Sequence, residues 1–141
     1  MPKLQQSTLF PEYPQDDVSP RPVNVASVPQ RSPFRYPGGK TWFVPTFRAW
    51  LQALSIRPRL LIEPFAGGGS ISLTALFDNL VDAVVMVERD EDIAAVWQSV
   101  VNGDTGWLAE QILAFDLTRE SVAAEIRKTP ESTRERAFQT I

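Results

Sequence analysis

The segment Phe65-Ala66-Gly67-Gly68-Gly69 has the residue types best suited to binding chemistry in this 141-residue chain. Successive glycines let a backbone come close to a ligand, and a helix that begins just after them turns its positive end toward an anionic group. Glu88 follows roughly 20 residues later, the position at which an acid ending the next strand accepts hydrogen bonds from two ribose hydroxyls. Loop and acid together imply a ligand that contains adenosine. Two other nucleotide motifs are disfavoured by what is missing. A dinucleotide fingerprint wants Gly or Ala three residues after Gly69, where Ser72 stands, and Gly39-Lys40-Thr41 is only the end of a P-loop whose first Gly position holds Phe34. The chain has no His and no Cys, so Ser-His, Cys-His and His-metal mechanisms, thiolate zinc sites and disulfides are all excluded within it. Carboxylates, Lys, Tyr and backbone groups remain. Glu63, just before the loop, is either a further cofactor contact or an end-of-strand acid with partners of its own.

These groups need a strand, a turn and a helix to hold them, and the apolar pattern supplies that order. Leu60-Leu61-Ile62 and Ala83-Val84-Val85-Met86-Val87 are short, wholly apolar runs, predicted as strands of the buried parallel type. Each leads into a helix, the first through Ile71, Leu73, Leu76 and Phe77, the second through Ile93, Val96, Trp97, Val100 and Val101 with Asn102-Gly103 as its close. Upstream, Phe43, Phe47, Trp50, Leu51 and Leu54 recur at steps of three and four. They predict an amphipathic helix with Pro45 in its first turn and Arg57-Pro58 as its stop. Downstream, Trp107, Leu108, Ile112 and Phe115 mark one helix. Thr118 is the expected N-cap of the next, which carries Val122 and Ile126 and stops at Pro130. A last helix opens near Ser132 with Ala137, Phe138 and Ile141 on its stripe, which runs to the final residue as it would in a cut chain. The expected class is α/β, in a βαβα order preceded by one helix.

Residues 1–32 read as a Pro-rich extended arm, and the ordered domain is expected to span 33–141. Charge divides unevenly: residues 1–62 hold 8 Lys/Arg and 3 acids, residues 63–141 hold 6 and 14. No acid lies between Val18 and Ile62, so Arg21, Arg31, Arg35, Lys40, Arg48, Arg57 and Arg59 form either one basic face of the kind a polyanion needs or a scatter of solvated cations. No apolar run approaches the ~20 residues of a membrane span, and no apolar core of a signal peptide follows Lys3. A reducing cytoplasm is the default expectation, with no membrane as partner.

Pro33-Phe34-Arg35-Tyr36-Pro37-Gly38-Gly39-Lys40 followed by Glu63-Pro64-Phe65-Ala66-Gly67-Gly68-Gly69-Ser70 resembles motifs X and I of the DNA adenine methyltransferase family, the D12 class of N6-adenine-specific enzymes. The resemblance covers residues 33–101. It implies a Rossmann-like S-adenosylmethionine-dependent methyltransferase fold, incomplete in this chain, with S-adenosyl-L-methionine as cofactor. The implied cofactor-binding residues are Tyr36, Lys40, Glu63, Phe65, Gly67, Gly69 and Glu88, and Tyr36 stands where many members have Trp. Its aromatic face is suited to a sulfonium. The family's Asp-Pro-Pro-Tyr type motif, which holds the flipped adenine, is absent, as is any Pro-Pro dipeptide, so no catalytic residue is assigned here. That motif and the recognition domain are expected beyond residue 141. Residues 1–141 alone are expected to be inactive, and the whole protein to methylate adenine in duplex DNA, on its own or within a restriction–modification system. An inactive DNA- or partner-binding module derived from such an enzyme is the alternative, and a Rossmann-like methyltransferase acting on RNA or protein is a more distant one. In the arm, Gln6-Ser7-Thr8-Leu9-Phe10 resembles the bacterial sliding-clamp-binding pentapeptide, with Gln6 at a pocket mouth and Leu9 and Phe10 filling it.

Overall fold

Pro45 fixes where the first helix begins, because a ring without an N–H is tolerated only where that N–H would go unpaired. In the computed structural model, which describes residues 25–141, a short 3-10 helix (Lys40–Phe43) runs into helix α1 (Val44–Ala53), and Pro45 lies in the first turn of α1. The helix stops at Ala53, before Arg57-Pro58, because Leu54 turns to an extended conformation and Arg57 is fastened elsewhere. Its guanidinium donates to the carbonyls of Asn79 and Val81, to Asn79 Oδ1 and to Asp82 at 2.5–3.0 Å.

Strand β1 (Leu60–Pro64), helix α2 (Ser70–Phe77) and strand β2 (Ala83–Val87) form a parallel β-α-β unit in the register Leu60↔Ala83, Ile62↔Val85, Pro64↔Val87. Side chains alternate across a strand. Leu61 and Val84 pack with Val44, Phe47, Leu51, Ile71, Ala75 and Val81 from α1, α2 and the connection before β2. The opposite face is bare, and this corrects the expectation of strands buried on both sides: Leu60, Ile62, Val85 and Val87 are 45–59 % exposed. The helices of the described residues cover one face only.

Helix α3 (Glu91–Val101) begins at Asp90, whose carboxylate accepts the N–H groups of Asp92 and Ile93, a cap worth about 1 kcal/mol. It packs against helix α6 (Thr133–Thr140), and Phe34, Ile93, Val96, Trp97, Leu108 and Ala137 form the second core beside Met86, Trp107 and Phe138. Helix α4 (Thr105–Ala114) buries only Leu108 of its predicted stripe. Helix α5 (Arg119–Ile126) starts at Thr118 as expected, where Thr118 and Ser121 bond each other's side chains and backbone N–H groups. Ile112, Ile126 and Ile141, expected on buried stripes, are all exposed. The packed region also reaches back past Pro33: Val28 joins the α1–α2 core, and Arg31 pairs with Asp78 at 2.6 Å. The result is a mixed α/β structure with a two-stranded parallel sheet. Among the described residues no helix is long and apolar enough to cross a membrane.

Candidate functional site

At the carboxyl end of β1 the chain turns sharply. Phe65 sits in the left-handed region (φ 59°), a conformation that β-carbon crowding normally reserves for Gly, and its ring is 75 % exposed. The Ala66 N–H then donates to Val87 O at 3.0 Å, stitching the loop to the end of β2, and the Gly69 N–H donates to Ala66 O at 2.9 Å. Gly67 (φ 53°) and Gly69 (φ 66°) need their missing side chains for space as well as for conformation. A Cβ on Gly67 would lie 2.9 Å from the Tyr36 ring, and one on Gly69 2.7 Å from Cζ2 of Trp97. The buried Trp97 also donates its Nε1–H to Gly67 O at 2.7 Å. The loop is therefore held between Tyr36 on one side and Trp97 on the other.

Glu88, immediately after β2, reaches the same loop. Its Oε2 accepts the Gly67 N–H at 2.7 Å, and its Oε1 accepts the N–H groups of Arg89 and Asp90 at 2.8 and 3.0 Å. The Asp90 N–H above all holds this carboxyl below its ordinary range. Burial opposes that effect, and the Gly67 and Arg89 N–H groups and the Lys40 charge add to it. A carboxylate offers about four lone-pair positions and three are used here, so Glu88 retains acceptor capacity toward a ligand.

Lys40, at the start of the 3-10 helix, points its ammonium under the turn. Nζ lies 2.5 Å from Phe65 O, 3.5 Å from Ala66 O and 3.0 Å from Glu63 Oε1. Glu63 is 4 % exposed, and its Oε2 accepts both the N–H and the hydroxyl of Ser72 at 2.9 and 2.5 Å. The Lys40–Glu63 contact is an ion pair outside hydrogen-bond angles, which leaves Glu63 Oε1 compensated in charge but without a directed donor. Of the two roles open to Glu63, the geometry favours the end-of-strand acid with its own partners.

All seven residues expected at the site belong to this one network. Tyr36, Gly67 and Glu88 are in sequence of contact, Lys40 joins Phe65 to Glu63, and Gly69 rests on Trp97. Two members were not foreseen. Ser72 was noted only as the residue in place of a third glycine, and Trp97 only as part of a helical stripe; both join the network through contacts across 9 and 30 residues, which no local pattern marks. Beside the loop, Ser32, Arg35, Tyr36, Thr41, Gly68 and Ser70 line a polar cleft of about 270 Å³.

The basic stretch does not make one open face. Arg31 and Arg48 both hold Asp78 at 2.6 Å, Arg57 and Arg59 lie 2.5 and 3.7 Å from Asp82, and Lys40 faces Glu63. The Arg31 hydrogen bond is the chief cause of a lowered Asp78 pKa, with Arg48 adding to it against burial. Arg35 is exposed outside these pairs, while Arg21 and the pentapeptide residues Gln6, Leu9 and Phe10 lie outside the described residues. No group of three or more His, Cys, Asp or Glu that could hold a metal occurs among the described residues. Comparison of the chain with family models, with curated proteins and with solved structures gives no match in any of the three.

Proposed function

We propose that this chain is the S-adenosylmethionine-binding part of an N6-adenine-specific DNA methyltransferase with a Rossmann-like fold. The observation that carries the reading is the 2.7 Å bond from the Gly67 N–H to Glu88, which unites a glycine turn and an acid at the carboxyl ends of adjacent parallel strands. In open α/β sheets that is where ligands bind. The cradle fits such a cofactor: Gly67 and Gly69 leave room that a Cβ would fill, and Glu88 keeps an acceptor position for a ribose hydroxyl. Tyr36 offers an aromatic face beside Gly67, and the start of α2 favours the cofactor's carboxylate. S-adenosylmethionine would supply an activated methyl group. Transfer to adenine needs base-holding residues of the Asp-Pro-Pro-Tyr type, which this sequence does not contain, so the chain alone binds and does not catalyse. Duplex DNA is the proposed substrate of the complete enzyme. Pairing of Arg31, Lys40, Arg48 and Arg57 with acids of the fold counts against the alternative of a DNA-binding module built on that stretch.

Calorimetric titration with S-adenosylhomocysteine tests the reading. The wild-type chain is expected to bind, and Glu88→Ala to bind at least ~10-fold more weakly, since hydrogen bonds to a charged acceptor contribute about 1.5–3 kcal/mol. Equal affinities would remove Glu88 from the site, and no binding by a folded wild type would refute the proposal.

A further inference from the structure

Lys40 makes its contacts with the loop backbone and with Glu63, and these contacts give it a role in shaping the loop. A peptide unit is planar and trans, so its C=O and N–H point in opposite directions. Drawing Phe65 O onto Lys40 at 2.5 Å therefore aims the next N–H, that of Ala66, away toward Val87 O, where it bonds at 3.0 Å. Drawing Ala66 O to the same side, helped by the Gly69 N–H at 2.9 Å, aims the Gly67 N–H at Glu88. Phe65 must remain left-handed for both orientations to hold, and nothing in its own side chain favours that. The ammonium is itself fixed from below by Glu63, which Ser72 locks in place with two hydrogen bonds.

We infer that Lys40 is a positioning residue: it holds Phe65 in the left-handed conformation and so sets the Gly67–Glu88 arrangement. The inference rests on the proposed cofactor reading for its consequence, but the geometry it explains can be measured without any ligand. Ser72 and Glu63 complete the device. The buried acid, the lysine and the strained aromatic form a single strut from the core to the loop.

The experiment is a two-by-two comparison of Lys40→Met and Phe65→Gly, repeated in a Glu63→Gln background so that loss of the lysine does not strand a buried charge. Hydrogen exchange of the Ala66 and Gly67 amides and of the Trp97 indole N–H, followed by NMR, reports the loop directly, since Trp97 donates to Gly67 O. Lys40→Met is expected to speed exchange at these three groups ~10-fold or more and to weaken S-adenosylhomocysteine binding ~10-fold. Adding Phe65→Gly is expected to restore most of both, because Gly takes a left-handed φ unaided. Unchanged exchange in Lys40→Met, or accelerated exchange that Phe65→Gly does not reverse, overturns the inference. Restored exchange with binding still lost, where Phe65→Gly alone binds as wild type does, would show that Lys40 serves binding by some route other than the Gly67–Glu88 arrangement, and this too overturns it. If the wild type fails to bind S-adenosylhomocysteine, the cofactor reading falls, while the exchange measurements still decide the role of Lys40.

Discussion

Replacing Gly69 with Ala probes the tightest point of the loop. Two costs are incurred together. An L-residue at φ 66° gives up about 1–2 kcal/mol relative to Gly. The new methyl also falls 2.7 and 3.0 Å from ring carbons of Trp97 and 3.4 Å from the Met86 sulfur. Trp97 is 7 % exposed, packs on Phe34 at 5.7 Å and is tied by its indole N–H to Gly67 O, so the ring cannot turn aside freely. Overpacking of this kind costs about 1–3 kcal/mol. The sum is roughly 3 kcal/mol, or ~10 °C in Tm for a chain of this size. Gly106 is the control: it lies in α4 with open space around it, and Gly106→Ala is expected to stabilise by about 0.5–1 kcal/mol. Thermal and urea unfolding of the two variants, with Trp fluorescence as probe, gives both numbers. If Gly69→Ala melts within ~1 °C of wild type, the loop is not seated on Trp97 and the close-packed site is wrong.

Asp78→Ala leaves Arg31 and Arg48 without their shared acceptor; the side chains are 19–30 % exposed, so the loss expected in urea titrations at neutral pH is about 2 kcal/mol. Because the folded state lowers the pKa of both Asp78 and Glu88, their stabilisation is complete above the ordinary carboxylate range and is lost as pH falls below ~4. Asp78→Ala is therefore expected to flatten the acid limb of the stability curve, and an unchanged limb would show that Asp78 is not held in ionised form. Val84→Ala, which trims a residue packed on the α1–α2 core, is expected to cost about 1.5 kcal/mol, against about 0.5 kcal/mol for Val85→Ala on the bare sheet face. Equal losses in thermal melts would mean that something covers that face in solution.

The order of elements was legible because each signal is local. Steps of three and four mark α1, apolar runs of three and five residues mark the strands, and Thr118 and Ser132 mark helix starts whose N–H groups their side chains do accept. The meeting of loop and acid was legible for the same reason: a glycine turn between strand and helix and an acid after the next strand occupy fixed places in a parallel unit. Sidedness was not legible. A run such as Ala83–Val87 is apolar at every position, so it contains no alternation to say which face the helices take, and the structure leaves Val85 and Val87 uncovered. The left-handed Phe65 was also hidden, since its conformation is set by Lys40, 25 residues earlier in the chain.

The charge asymmetry of the sequence finds its explanation in the same long-range geometry. Arginines of the acid-free stretch hydrogen-bond to Asp78 and Asp82, acids that lie beyond β1, across separations of 25 to 47 residues. Most of these bridges gather away from the glycine loop. Arg57 binds the turn between α2 and β2, the Asp82 and Ala83 N–H groups donate to Arg59 O at 3.1 and 3.0 Å, and Arg31 and Arg48 brace the last turn of α2 through Asp78. Exposed ion pairs are individually weak, about 0–1 kcal/mol, yet a fan of four bonds from one guanidinium fixes a direction as well as an energy. The amino ends of both strands are thus clamped by charge. At the carboxyl ends the loop is held by Trp97, Glu88 and Lys40 and by its own Ala66, Gly67 and Gly69 amides, all bonded within the protein, which leaves one Glu88 acceptor position for a ligand. A two-stranded sheet with one bare face has little packing to keep its strands in register, and the charged clamps supply fixity at one end as the Ala66–Val87 and Gly67–Glu88 bonds supply it at the other.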